Sequence, residues 1–129
     1  MATKAPCIFV VDDDASVRKA LKRLIVSNGL PVETFDSATE FLRSFNDNLA
    51  GCMILDVRMQ GMTGLDLQKK LVSMGSCLPI IFITAHDDEN ARQQAIENGA
   101  AAWFMKPVNE DDLLKAIADV TPWQERVEV

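Results

Sequence analysis

Four short apolar runs dominate the sequence, and each ends at a residue that can bind a metal ion or a phosphate group. These end residues are Asp12, Asp56, Thr84 and Lys106. Short apolar runs with turn residues on both sides are consistent with strands buried inside a sheet. If all four belong to one parallel sheet, their carboxyl ends meet at one edge, where open α/β sheets bind ligands. The runs therefore predict a single pocket built from residues that are distant in sequence.

Helix-like segments separate the apolar runs, and this alternation predicts an α/β fold. A further short strand over residues 31–35 brings the predicted total to five strands and five helices. Alternating strands and helices form a parallel sheet with helices on both faces. The predicted apolar faces of the helices carry Val17, Leu21 and Leu24; Phe41, Leu42 and Phe45; Leu67, Leu71 and Met74; Ala91, Ala95 and Ile96; and Leu113, Ile117 and Val120.

The composition is that of one globular domain, with 129 residues, 48% hydrophobic and 25% charged. The net charge of -6 argues against a surface rich in Lys and Arg, so we expect no direct DNA binding by this segment. No apolar run approaches the roughly 20 residues that cross a bilayer, so we expect no membrane contact and a cytoplasmic location. Three cysteines without CxxC spacing are interpreted as reduced core residues: Cys7, Cys52 and Cys77.

The acidic residues at two strand ends suggest a metal site. Asp12, Asp13 and Asp14 follow the first run directly, and Asp56 ends another. Each has an ordinary explanation by itself, since Asp14 suits a helix cap and Asp56 a strand-end turn. Crowded carboxylates repel one another unless a cation or solvent relieves the charge, and Mg²⁺ is usually held by such oxygen ligands. Three carboxylates at one edge favour a divalent metal site.

Thr84 and Lys106 extend this site toward phosphate chemistry. Either residue alone is explained as a satisfied hydroxyl or a solvated surface charge. Together with a metal ion, however, a lysine and a hydroxyl donor are what holds a phosphoryl group, because they offset the charge on its oxygens. Asp56 can supply the nucleophile as an acyl-phosphate acceptor. The four strand ends thus predict phosphoryl transfer to an aspartate.

These residues resemble the receiver domain of bacterial two-component response regulators. The motifs that carry the resemblance are Asp12-Asp13-Asp14 after an apolar strand, Leu55-Asp56 followed by Met59 and Gly61, Thr84-Ala85, and Lys106-Pro107. The chain looks most like receivers that precede a helix-turn-helix output domain. The resemblance implies a single doubly wound (βα)5 flavodoxin-like domain over residues 7–121, with sheet order 2-1-3-4-5. Residues 1–6 would form an N-terminal arm, and residues 122–129 a tail or the start of a linker.

The resemblance also assigns roles. Asp56 would be phosphorylated by a sensor histidine kinase or a histidine phosphotransfer protein, so the domain would be a signalling phosphoacceptor that at most catalyses its own phosphorylation and dephosphorylation. Lys106 would pair with the phosphoryl group, and Thr84 would donate a hydrogen bond to it. The implied ligands of Mg²⁺, for which Mn²⁺ can substitute, are Asp12, Asp13, Asp56 and the backbone carbonyl of Arg58.

The implied output is a change in the surface formed by the fourth helix, the fifth strand and the fifth helix, which supports a phosphorylation-dependent homodimer. The switching aromatic residue would be Trp103, where the family usually has Tyr or Phe. Gln60 stands where the family generally has Pro, and the Lys106-Pro107 bond is expected to be cis. Arg58 and His86 occupy positions that, in the family, vary and tune the lifetime of the acyl phosphate, and we expect Arg58 to shield the phosphoryl group.

Two alternatives compete with this interpretation. In a haloacid-dehalogenase-like phosphatase, Asp12 would be the nucleophile and Asp14 the general acid, but Asp56 would then have no role. In a non-phosphorylated interaction module, the fold would bind partners constitutively. Such modules normally lack part of the acidic cluster, the acceptor or the lysine, and all of these are present here.

Overall fold

The computed structural model describes residues 6–46 and 49–121, which form five strands and five helices in strict alternation. The strands are β1 Cys7–Val11, β2 Val32–Phe35, β3 Gly51–Asp56, β4 Ile80–Thr84 and β5 Ala102–Met105. The helices are α1 Ala15–Ser27, α2 Ala38–Ser44, α3 Gly64–Ser73, α4 Glu89–Glu97 and α5 Glu110–Val120.

All strand pairs are parallel, and the sheet order is β2-β1-β3-β4-β5. This confirms the α/β class and the doubly wound sheet order 2-1-3-4-5. Every residue of the inner strands β3 and β4 is buried, as expected for parallel strands that are covered on both faces. The edge strand β5 is only partly buried.

Helices cover the two faces of the sheet and form two apolar layers. One layer packs α1 and α5 against the sheet through residues such as Ile25 and Leu113. The other packs α2, α3 and α4 through residues such as Phe41, Leu67 and Ala95. Burying a side chain of the size of Leu or Ile contributes about 1.5 to 3 kcal/mol, so these layers are the main source of stability.

Three residues that are predicted to lie in the core are exposed: Met74, Ile96 and Cys77. Met74 is 45% exposed because α3 ends at Ser73 and Met74 lies at its C-cap, outside the helix. Ile96 is 49% exposed because it lies about 100° around the helix from Ala95, whose side chain faces the sheet. Cys52 is buried and Cys7 half-buried, whereas Cys77 is exposed in the segment before β4 and is not a core residue.

Two predictions fall largely beyond the part of the chain that is described. These are the N-terminal arm over residues 1–6, of which Pro6 is described, and the tail over residues 122–129. Across residues 6–46 and 49–121, no helix has both the length and the apolar character needed to span a membrane.

Candidate acidic phosphoacceptor site

The predicted pocket residues meet at the carboxyl edge of the sheet. Asp12 follows β1, Asp56 and Thr84 end β3 and β4, and Lys106 follows β5. Asp12, Asp56 and Thr84 are 0%, 5% and 1% exposed, which is rare for polar side chains. The parallel sheet thus brings residues from four strands into one buried polar site.

Three carboxylates form the acidic part of this site. Ligand oxygens of Asp12, Asp13 and Asp56 all lie within 4.8 Å of one another, with Asp13 on the solvent side. The Asp12 side chain accepts a hydrogen bond from the backbone N–H of Asp14 at 2.9 Å. Asp14 itself caps α1 by accepting hydrogen bonds from Ser16, and its carboxylate is therefore occupied outside the acidic cluster. This argues against the role of general acid that the phosphatase alternative gives to Asp14.

Arg18 also contacts the acidic cluster, although none of the sequence motifs includes it as a site residue. Its guanidinium donates a hydrogen bond to the backbone carbonyl of Asp12 at 2.7 Å. Arg18 lies one turn into α1, on the side that faces the β1 end. The sequence gives no signal for this contact, because a basic residue in the first turn of a helix is usually solvated.

Lys106 balances part of the negative charge. Its ammonium group lies 3.0 Å from a carboxylate oxygen of Asp12 and 3.6 Å from one of Asp56. Burial by itself would lower the pKa of Lys106, but the hydrogen bond and charge of Asp12 and the charge of Asp56 outweigh it, and the pKa is raised. Lys106 therefore stays protonated and can face either the carboxylates or an anionic ligand.

Asp56 is the carboxylate whose ionisation is most perturbed. Burial raises the pKa of Asp56 to about 6, the charges of Asp12 and Asp13 add to this shift, and Lys106 opposes it. The group is thus mostly ionised at pH 7 but is held in an unfavourable field. A divalent cation among the three carboxylates would relieve that repulsion, and oxygen donors of this kind suit Mg²⁺. The residues present therefore fit the implied metal.

Thr84 is engaged in a local turn. Its hydroxyl accepts a hydrogen bond from the backbone N–H of His86 at 3.1 Å and lies 3.4 Å from the His86 carbonyl oxygen, to which it donates. His86 is exposed and contacts Thr84 through its backbone. A substitution of the His86 side chain would therefore leave both hydrogen bonds possible.

The segment between β3 and α3 contacts the acidic site through its backbone. Gly64 donates a backbone hydrogen bond to the Val57 carbonyl at 2.9 Å, and a Cβ atom at Gly64 would overlap the Asp56 carbonyl oxygen. Gln60 donates a long backbone hydrogen bond of 3.4 Å to Asp13. The family usually has proline at this position, which lacks a backbone N–H. In this chain the N–H of Gln60 therefore provides a contact to Asp13 that proline could not make.

The remaining predicted residues lie at the margin of the pocket. The Arg58 side chain points to Asp88, with 3.6 Å between the guanidinium and the carboxylate. Trp103 packs against the core layer below α4, with its ring centroid 5.7 Å from that of Phe82. The Lys106-Pro107 peptide bond is cis, as expected.

A model of the response regulator receiver domain matches residues 8–118, which is most of the chain. The chain belongs to the response regulator receiver domain family. This is a family of signalling domains of two-component systems rather than of classical enzymes, and it favours neither of the two alternatives. The response regulator protein TodT of Pseudomonas putida is 47% identical over 117 residues, covering 91% of this chain and 52% of TodT. TmoT of Ectopseudomonas mendocina is 50% identical over 110 residues, covering 85% of this chain and 50% of TmoT.

Solved receiver structures agree with the fold. The structure of the response regulator StyR superposes with a TM-score of 0.88 at 44% identity, covering 95% of this chain and 63% of that one. The crystal structure of FixJ-N superposes with a TM-score of 0.82 at 31% identity, covering 90% of this chain and 93% of that one. The chain spans about half the length of TodT and TmoT.

Proposed function

We propose that this domain accepts a phosphoryl group on Asp56 from a phosphohistidine of a sensor histidine kinase or histidine phosphotransfer protein. A carboxylate oxygen of Asp56 forms a bond to phosphorus as the P–N bond breaks, and the imidazole leaves with the bonding electrons and takes up a proton. The observation that carries the proposal is the buried Asp56 carboxylate, held between two further carboxylates and the ammonium group of Lys106.

Metal binding follows from the same cluster. We assign the ligands of Mg²⁺, or of Mn²⁺ in its place, to Asp12, Asp13, Asp56 and the backbone carbonyl of Arg58. The bound ion would supply positive charge to the phosphoryl oxygens. Asp12 is fixed by its hydrogen bonds with Asp14 and Arg18, so it can hold the ion's hydration shell without moving. Asp13, on the exposed side, can adjust to the ion.

Two residues would detect the phosphoryl group. Lys106 would exchange its contact with the Asp56 carboxylate for one with phosphoryl oxygens, since a phosphoryl group offers more negative charge. Thr84 would rotate its hydroxyl away from the His86 backbone and donate to the phosphoryl group. The space that it leaves would be open to Trp103, which packs on the adjacent strand. His86 would modulate this exchange through its backbone.

The proposed output is the surface of α4, β5 and α5. Exposed apolar side chains such as Ile96 and Met105 lie on α4 and β5, so a rearrangement there would change what this surface binds, including a second copy of the domain. Relatives carry names such as transcriptional regulatory protein TdiR. We propose that this domain, over residues 7–121, likewise regulates transcription through an output domain or partner.

Intact-mass measurement after incubation with Mg²⁺ and acetyl phosphate tests the proposal. The wild-type domain should gain one phosphoryl group, and Asp56→Asn should gain none. The exposed Asp36→Asn is the matched control and should be phosphorylated like wild type. An adduct that survives in Asp56→Asn would move the nucleophile to Asp12 and support the phosphatase alternative. A wild-type domain that gains no phosphoryl group would support the interaction module.

A further inference from the structure

An ion pair joins the loop after the acceptor strand to the beginning of α4. A guanidinium nitrogen of Arg58 lies 3.6 Å from one carboxylate oxygen of Asp88. The other oxygen of Asp88 accepts a hydrogen bond from the backbone N–H of Ala91 at 3.1 Å, which makes Asp88 the N-cap of α4. One carboxylate therefore holds both Arg58 and the first turn of this helix.

Helix α4 has few other contacts that hold its first turn. Among its nine residues, all of which are described, the buried ones are Ala91 and Ala95, which offer little apolar surface. Gln68 on α3 donates a hydrogen bond to the Ala95 carbonyl at 2.9 Å, but this contact lies toward the end of α4. The position of the first turn thus depends strongly on Asp88.

The space around Arg58 connects Asp88 to the acidic site. A groove of about 510 Å³ lies between the β3–α3 loop and α4, and Arg58, Asp88, Gln60 and Asp13 all border it. Asp13 is one of the three clustered carboxylates. The Arg58 side chain is more than half exposed, so it can cross this groove without leaving a packed position.

We infer that Asp88 is a positioning residue that competes with the phosphoryl group for Arg58. The inference rests on the proposed phosphorylation of Asp56, two residues before Arg58. A phosphoryl group carries a charge of about -1.5 to -2 and accepts paired hydrogen bonds from a guanidinium, so it attracts Arg58 more strongly than one carboxylate does. When Arg58 moves, it shields the phosphoryl group and at the same time leaves Asp88. The phosphoryl lifetime and the freedom of the first turn of α4 are then set by one side chain.

The half-life of the phosphorylated domain tests this competition. Asp88→Asn removes the charge but keeps a good N-cap, since Asn caps helices as well as Asp does. Without its competitor, Arg58 should stay on the phosphoryl group, and the half-life should lengthen by about two- to fivefold, the range over which an exposed ion pair biases an equilibrium. Arg58→Ala should shorten the half-life, and adding Asp88→Asn to Arg58→Ala should change nothing further. Intact mass, followed after removal of acetyl phosphate, gives all four values.

Glu89→Gln is the matched control, because it breaks the 3.4 Å ion pair with Arg92 on the same helix without touching Arg58. It should leave the half-life unchanged. Amide hydrogen exchange is the second measurement: beryllofluoride should speed exchange at residues 91–93 in wild type but not in Arg58→Ala. The inference would be overturned if Asp88→Asn changed the half-life equally in wild type and in Arg58→Ala. It would also be overturned if Asp88→Asn left the wild-type half-life unchanged. A wild-type domain that gains no phosphoryl group would instead refute the proposed function.

Discussion

The acidic pocket and helix α4 lie next to each other, but they are built in different ways. The pocket lies at the ends of β1, β3 and β4, whose residues are almost entirely buried. Lys106 pairs with its carboxylates, and Arg18 donates a hydrogen bond to the backbone carbonyl of Asp12. Helix α4 buries two alanines and is attached through polar contacts from Arg58 and Gln68. The chemistry thus sits on the rigid part of the molecule, and the proposed response sits on an element that can move at low cost.

Rough energies support the contrast. A buried CH₂ group contributes about 0.8 kcal/mol, so two alanine methyl groups attach α4 to the sheet with only about 1 to 2 kcal/mol. Helix α3 buries Leu67 and Leu71, and α5 buries Leu113 and Ile117, at about 1.5 to 3 kcal/mol for each side chain. We therefore expect α4 to open more readily than its neighbours, and the following substitutions test this difference between pocket and helix.

The largest expected loss of stability is at Gly64, where the backbone of Asp56 leaves no room for a side chain. Gly64→Ala would place a Cβ against the backbone carbonyl of Asp56, so the start of α3 or the end of β3 must shift to admit it. We expect a loss of about 3 kcal/mol in the free energy of unfolding, at the upper end of overpacking costs. Gly61→Ala, in the loop just before α3, meets no neighbour but keeps a φ of 78°, so it should lose about 1 kcal/mol. Urea denaturation measures the free energy of unfolding of both variants. Equal losses for Gly64→Ala and Gly61→Ala would contradict a rigid pocket.

Lys106→Met tests the charge balance of the pocket. It leaves Asp12 and Asp56 without their ammonium partner, and we expect a loss of about 2 kcal/mol at pH 7, less than for a fully buried pair because Lys106 is partly exposed. Mg²⁺ should restore much of the loss by replacing the missing positive charge. Thermal unfolding with and without Mg²⁺ measures this, with exposed Lys115→Met as the control. A loss that Mg²⁺ does not reduce would show that Lys106 acts through packing.

Asp56→Asn should stabilise the domain, because its carboxylate is held in an unfavourable field. The folded-state pKa is about 6, above the ordinary 3.8, so the folded state binds this proton more tightly than the unfolded state does. The stability from this group is therefore fully present below pH 3.8 and lost as the pH rises through 6. The shift alone corresponds to about 3 kcal/mol, and solvent on the open side of the site screens the charges, so Asp56→Asn should exceed wild type by about 1.5 kcal/mol at pH 7 without Mg²⁺. The difference should shrink toward pH 4.

Denaturation at several pH values measures the Asp56→Asn difference. The Asp36→Asn variant, at an exposed position, controls for general effects of lost charge. A difference between Asp56→Asn and wild type that stays constant from pH 4 to pH 7 would mean that Asp56 is not strained by its neighbours.

The smallest expected change in stability comes from Gln68, which contacts α4. Gln68→Met removes the hydrogen bond from α3 to the Ala95 carbonyl, and that carbonyl keeps its other donor, the backbone N–H of Ala100. The global cost should be about 0.5 kcal/mol, below the usual value for a hydrogen bond, because the buried Gln68 carbonyl oxygen has no hydrogen-bond partner among the described residues. Amide exchange should quicken in α4 and stay unchanged in α5. Equal quickening in both helices would contradict separate control of α4.

Sequence patterns predicted the strand ends well and the helix surfaces less well. Asp12, Asp56, Thr84 and Lys106 were found because a buried parallel strand is a short apolar run with a clear end. Met74 was placed in the core wrongly because periodicity does not show at which residue a helix stops. Gln68 gave no signal at all, although it is 1% exposed, since a polar residue in a helix suggests a solvated position.

The contacts around the site were the least predictable part. Arg18 and Asp88 are ordinary surface residues in the sequence, and their partners are fixed by how α1 and α4 pack beside the strand ends. Arg58, which is expected to shield a phosphoryl group, contacts Asp88 in this structure. Such contacts depend on the direction of long side chains, which no local pattern encodes.

The sequence by itself determined the alternation of strands and helices, the residues at the strand ends and hence the chemistry of the pocket. These features are local, because each depends on the periodicity of apolar residues within a few turns or one strand. The tertiary structure alone decided that Lys106 reaches Asp12 and Asp56, that burial raises the pKa of Asp56, and that Asp88 holds Arg58. These features are long-range, because charges and side chains interact only once the sheet has brought distant segments within a few ångströms.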